Sequence, residues 1–220
     1  MALTLSGTNG VVGAGFTVDA SGVSVTAGVG TFTSYQGSAA SLTQIPAANI
    51  VGVATAGFGN ASGAYSQGIT EVDQWRLTTN FSGSVEPLAN NLERNDNNFT
   101  KIGSGMSVSS GYWTFPSTGI WRIEMVRDAF INGNERELRV MIYYTVNNSN
   151  YYALTENASN IRDFNANGHG QVYTQAIFDV TNTTTHKIYF RVLNDNSSTQ
   201  TIGRTGENQT YFTFTRLGDT

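Results

Sequence analysis

The chain has no cysteine. That excludes disulfides, thiol catalysis and thiolate-bound metal, and it argues against a disulfide-framed secreted module. Histidine is scarce, with two in 220 residues, so imidazole chemistry has few places to sit. Charge is low as well: 12 Lys and Arg stand against 16 Asp and Glu, for a net charge of −4. No basic stripe is present, so neither nucleic acid nor an anionic membrane surface is an expected partner. No apolar run reaches the length of a membrane-spanning helix. Met1–Val18 has neither the basic start nor the continuous apolar run of a signal peptide, so synthesis and assembly in a cytoplasm are expected.

Charge is also missing from one end. The first 70 residues hold a single charged side chain, Asp19, and are dense in Gly, Ala, Ser, Thr and Val. A domain so poor in charge and in large side chains struggles to build a core or to stay soluble alone. The sequence therefore predicts an assembly segment over residues 1–70 and a globular head over residues 71–220. Within the first part, Gly15–Asp19 and Ser21–Thr26 alternate apolar and small polar residues across a Gly turn, the pattern of a hairpin or of two fibrous rungs. Phe16, Val18, Val23, Val25, Phe32, Leu42, Ile45, Ile50 and Val53 exceed what a flexible linker needs. An ordered, intertwined stalk is expected.

The head reads as all-β. Helix formers are sparse, while short alternating runs recur between Gly and Asn clusters. Strands are predicted at Val72–Phe81, Phe99–Ile102, Met106–Val108, Tyr112–Phe115, Ile120–Phe130, Glu137–Val146, Tyr151–Asn157, Gln171–Val180, His186–Leu193 and Thr210–Leu217. Such spacing means a sandwich or barrel. Trp121, Ile123, Met125 and Arg127 share one face, expected to be the core face. Ile188, Phe190 and Val192 share another, as do Phe212 and Phe214. Tyr143, Tyr189 and Tyr211 fall on opposite faces of their strands. With Phe212 and Phe214 they are expected at an interface between protomers.

Two resemblances add to this reading. Tyr112-Trp113-Thr114-Phe115-Pro116-Ser117-Thr118-Gly119-Ile120-Trp121-Arg122-Ile123 resembles the strand, Pro-Gly turn and core strand of the C1q/TNF-like jelly roll. The ending Thr210–Leu217 is similar to that family's closing strand. This likeness covers about Val72–Thr220 and implies a jelly-roll sandwich that forms homotrimers. Met1-Ala2-Leu3-Thr4-Leu5-Ser6-Gly7, together with Leu42-Thr43-Gln44-Ile45-Pro46-Ala47-Ala48-Asn49-Ile50, resembles virion proteins of bacteriophages, including tail fibres. That resemblance implies residence in the virion. Residues 1–70 would bind other virion proteins, and the tip would contact a host glycan or protein. A capsid-decorating or head-fibre protein without a receptor is the alternative, and a glycan depolymerase stands behind it.

Residues that could carry chemistry are few. His169 lies in Asn-Gly-His-Gly and His186 in Thr-Thr-His-Lys, with no nucleophile elbow beside either. Glu124 and Asp128 are in step on one strand, but Arg122 and Arg136 nearby offer simple pairing, and a glycosidase needs two carboxylates across a sugar. Asn90–Asn98 is rich in oxygen ligands of the kind Ca²⁺ takes, yet its spacing is not that of an EF-hand loop. No catalytic residue, metal or cofactor is assigned. A ligand surface would use aromatics and amides at loop tips, here Trp113, Asn148, Asn150, Tyr151, Tyr152, Asn165, Asn167 and His169.

Overall fold

The structure, a computed structural model, describes residues 16–19, 22–25, 68–162 and 167–220. The chain divides into two units, Met1–Gly57 and Phe58–Thr220. In the first, β1 (Phe16–Asp19) pairs antiparallel with β2 (Gly22–Val25), Phe16 opposite Val25 and Asp19 opposite Gly22. Of the two expected arrangements, a hairpin or two fibrous rungs, the antiparallel pairing is that of a hairpin. Phe32, Leu42, Ile45, Ile50 and Val53, expected in an ordered stalk, lie outside the described residues.

The second unit is a sandwich of two antiparallel sheets. In chain order its strands are β3 (Val72–Leu77), β4 (Phe81–Ser82), β5 (Leu92–Arg94), β6 (Lys101–Ile102), β7 (Ser107–Ser109), β8 (Tyr112–Thr114), β9 (Gly119–Asn132), β10 (Glu135–Thr145), β11 (Tyr152–Ile161), β12 (Asn167–Val180), β13 (Lys187–Leu193), β14 (Gln200–Thr201) and β15 (Tyr211–Gly218). The smaller sheet runs β11-β10-β13-β8-β7. The larger runs β4-β14-β9-β15-β3-β5, with β12 on the other side of β9 and β6 against β3. No helix occurs among the described residues.

The long strand β9 organises the larger sheet. One edge pairs with β12 over its whole length, from Gly119 opposite Val180 to Asn132 opposite Asn167. The other edge is shared. β15 takes Ile120–Val126, and β14 takes Ala129 and Phe130. Alternation decides which face goes inward. Trp121, Ile123, Met125 and Arg127 point into the sandwich and are all at most 1% exposed.

The core is aromatic. Trp113 of the smaller sheet sits 4.9 Å from Phe214 and 5.8 Å from Phe212 of the larger. Trp75 meets it edge-on at 5.2 Å and Phe190 at 6.0 Å. Aromatic pairs in these offset and edge geometries add to what burial alone contributes.

Arg127 and Glu135 are among the charged side chains buried in the protomer. The Arg127 guanidinium donates to Thr201 Oγ1 at 3.0 Å, to the carbonyls of Arg139 and Leu193, and to Asn194 Oδ1 at 2.6 Å. Burial pulls its pKa down to about 9, against the opposing pull of Glu135, and it stays cationic at neutral pH. Glu135 is fully buried and accepts from the backbone N–H groups of Glu137, Asp195 and Asn196 and from the Thr199 hydroxyl. It thereby ties the Asp195–Thr199 loop to the start of β10.

Candidate functional site

The residues expected at a ligand surface separate into three places. Trp113 is a correction: it is fully buried and forms the centre of the core, so it touches no ligand. Its strand is only three residues long, and alternation puts Tyr112 and Thr114 outward instead. Asn167 and His169 lie at the start of β12. There His169 stands opposite Phe130, with the rings 5.1 Å apart and Nδ1 3.9 Å from the Asp128 carboxylate. Asn148, Asn150 and Tyr151 lie in the turn after β10, beyond the other end of that strand. Tyr152 opens β11 and is 57% exposed. Asn165 lies outside the described residues.

The expected interface residues separate as well. Phe212 and Phe214 are corrections, because both are fully buried inside the protomer against Trp113 and Phe190. Tyr211 lies on the outward face of the larger sheet. Tyr143 and Tyr189 lie on the outward face of the smaller one, with their rings stacked at 4.8 Å.

The outward face of the larger sheet is built from rows across three strands. Tyr211, Val126 and Tyr173 stand side by side in register. Two rows on, Thr215, Arg122 and Ile177 do the same. Tyr173 is 43% exposed and Ile177 55% exposed, which is high for side chains of their size. Polar groups separate them. The Tyr173 hydroxyl donates to Glu124 at 2.8 Å, and Arg122 pairs with Glu124 at 3.1 Å. Desolvation, reinforced by Glu124, pushes the Tyr173 phenol up to about 12. Alternation along β9 puts Arg122, Glu124 and Val126 on this face, opposite the buried Trp121, Ile123 and Met125, whereas Tyr173 and Ile177 were not singled out from the sequence. Their shared period of two along β12 was the available signal.

The residues considered for chemistry have structural partners. His186 is buried, with Thr181 and Thr185 hydroxyls 3.2 Å from its two ring nitrogens. In the Asn-rich run, Glu93, Asn95 and Asp96 all turn their oxygens to the buried Arg76 guanidinium. No cluster of three or more His, Asp or Glu side chains that could hold a metal occurs among the described residues.

No family model and no curated protein sequence matches the chain. Solved structures do resemble it. The Eiger TNF of S. frugiperda superimposes with a TM-score of 0.53 at 9% identity, over 68% of this chain and 93% of that one. Murine APRIL at pH 5.0 gives a TM-score of 0.47 at 9% identity, over 67% of this chain and 98% of that one. At such identity the likeness speaks to the fold alone. The second unit is a TNF-like jelly roll.

Proposed function

We propose that the chain is a structural virion protein of a bacteriophage, a homotrimeric fibre without enzymatic activity. Residues 1–70 attach to the particle, and the jelly-roll head contacts the host surface. The observation that carries this reading is the outward face of the larger sheet, where Tyr211, Val126, Tyr173 and Ile177 leave apolar surface uncovered in a single protomer. Apolar surface of this kind, interrupted by a few charges, suits contact with further copies of the chain. Two features of the sequence supply the rest. The charge-poor first 70 residues suit burial in an assembly, and the resemblance of their motifs to phage virion proteins gives the assembly a class. Three-fold repetition turns one weak contact into avid attachment.

The test is immunogold electron microscopy of particles made from the genome that encodes the chain. Gold on fibres supports the proposal. Gold spread over the capsid shell favours a decorating protein. Particles that carry no label overturn both.

A further inference from the structure

The smaller sheet carries a second outward aromatic surface, far from the Tyr173 face. Tyr143, Tyr189 and Tyr112 stand in one row across β10, β13 and β8. Tyr151 folds over them from the turn after β10, 5.3 Å from Tyr112 and 5.2 Å from Tyr189. Two of the four hydroxyls are engaged. Tyr189 donates to Glu86 at 2.7 Å, and Tyr143 accepts from Arg191 at 3.3 Å. Among the described residues the hydroxyls of Tyr112 and Tyr151 make no hydrogen bond.

Tyr112 and Tyr151 line a cavity of about 440 Å³. Lys187, Asn148, Ser109 and Ser110 also line it. Lys187 is the one charged side chain on its wall, and among the described residues its ammonium has neither ion pair nor hydrogen bond. The walls are held in place by the backbone. Asn148 and Ser110 both adopt left-handed conformations, with φ of 55° and 50°. Asn147 Oδ1 accepts from the N–H groups of Ser149 and Asn150, and the Asn148 N–H donates to the Thr185 carbonyl. Gly111, φ 84°, completes the other turn, and a Cβ there would come within 2.9 Å of Pro87. Lys187 itself is fixed in β13, paired with Thr145 and Thr114.

Two tyrosine rings, their unengaged hydroxyls, one amide and one unpaired cation on the lining match one ligand chemistry. A pyranose lays its C–H face on an aromatic ring while its hydroxyls seek donors and acceptors. A carboxylate on that sugar gains a charge-assisted bond from the ammonium. We infer that this cavity binds an acidic saccharide, with the sugar ring against Tyr151 and Tyr112 and its carboxylate on Lys187. The inference deepens the attachment reading and rests on it, because it gives the head a ligand class and a place to hold it. The volume suits one or two sugar residues.

The test is isothermal titration calorimetry of the full chain with an oligogalacturonate tetramer, and with cellotetraose as the neutral control. The oligogalacturonate is expected to bind and cellotetraose to bind at least about tenfold more weakly, as loss of one charge-assisted bond implies. Lys187→Gln and Tyr151→Ala should each weaken binding about tenfold or more. Lys187→Arg should keep most of it. Near-ultraviolet circular dichroism matching the unsubstituted chain shows that a variant has folded. No heat with oligogalacturonate, equal affinity for the two oligomers, or an unchanged Lys187→Gln would overturn the assignment. Calorimetry reads the cavity without any particle and immunogold reads the particle without any sugar, so the two proposals fail separately.

Discussion

Tyr143 and Tyr189 lie face to face, their ring centroids 4.8 Å apart and their planes within 4°. The stack couples β10 to β13 on the outward side of the smaller sheet. A polar clamp closes it, since the Tyr189 hydroxyl donates to Glu86 while Glu86 pairs with Arg191 at 2.8 Å. Burial and the Glu86 carboxylate hold the Tyr189 phenol above the usual tyrosine range.

The raised phenol has a consequence at alkaline pH. A folded-state pKa above the unfolded one stabilises the fold below the unfolded value, near pH 10, and that contribution disappears as pH rises through the folded value. Thermal unfolding between pH 8 and 12 should therefore show stability falling above about pH 10. Tyr189→Phe keeps the stack, removes this ionisation, and should flatten the fall. An unchanged slope would mean the phenol is not held up as described.

Glu135 acts at the other end of the pH scale. Its burial opposes the charged form, but the Thr199 hydroxyl and three backbone N–H groups outweigh that and lower its pKa. A depressed carboxylate pKa stabilises the fold above the unfolded value, near pH 4.3, and that contribution is lost as pH falls through the folded value. Glu135→Gln should cost about 2 kcal/mol at neutral pH, because charge-assisted bonds become neutral ones. The difference between variant and parent should then shrink below about pH 4, as urea titrations at both pH values would show.

Trp113 should behave as a core residue and not as a binding one. Trp113→Ala should destabilise the head by about 3–5 kcal/mol, measurable by urea unfolding, through the cavity it leaves between Phe190, Phe212 and Phe214. Trp113→Phe should cost less and leave oligogalacturonate binding intact.

The outward face of the larger sheet should govern assembly. Ile177→Arg places a charge at the most exposed apolar position of that face. It should lower the oligomer mass in solution without changing the far-ultraviolet spectrum of the head, since the side chain packs on little within its own protomer. A variant that assembles like the parent would move the interface elsewhere.

Much of this was legible in the sequence because period-two alternation is a local signal. Ile120–Arg127 showed which face of β9 would be buried, and the structure extends that strand to Gly119–Asn132. The predicted Val72–Phe81 strand is broken after Leu77, and β5 and β14 escaped notice. β14 has only two residues, between an Asn-rich turn and Gly203, and β5 lies inside an Asn-rich run that reads as a turn. Phe212 and Phe214 were rightly placed on one face, but alternation does not say whether that face meets the other sheet or another protomer. The tyrosine cavity was only half visible. Asn148 and Tyr151 were named from their turn, whereas Tyr112 and Lys187 reach them through strand pairing of distant segments.

The most direct test of the trimeric fibre is the molar mass of the full chain in solution by light scattering. The account predicts three times the 23.7 kDa of one chain, independent of concentration over the working range. A mass of 23.7 kDa at every concentration would contradict it, since the Tyr173 face and the charge-poor N-terminal segment would then have to be covered by something other than copies of this chain.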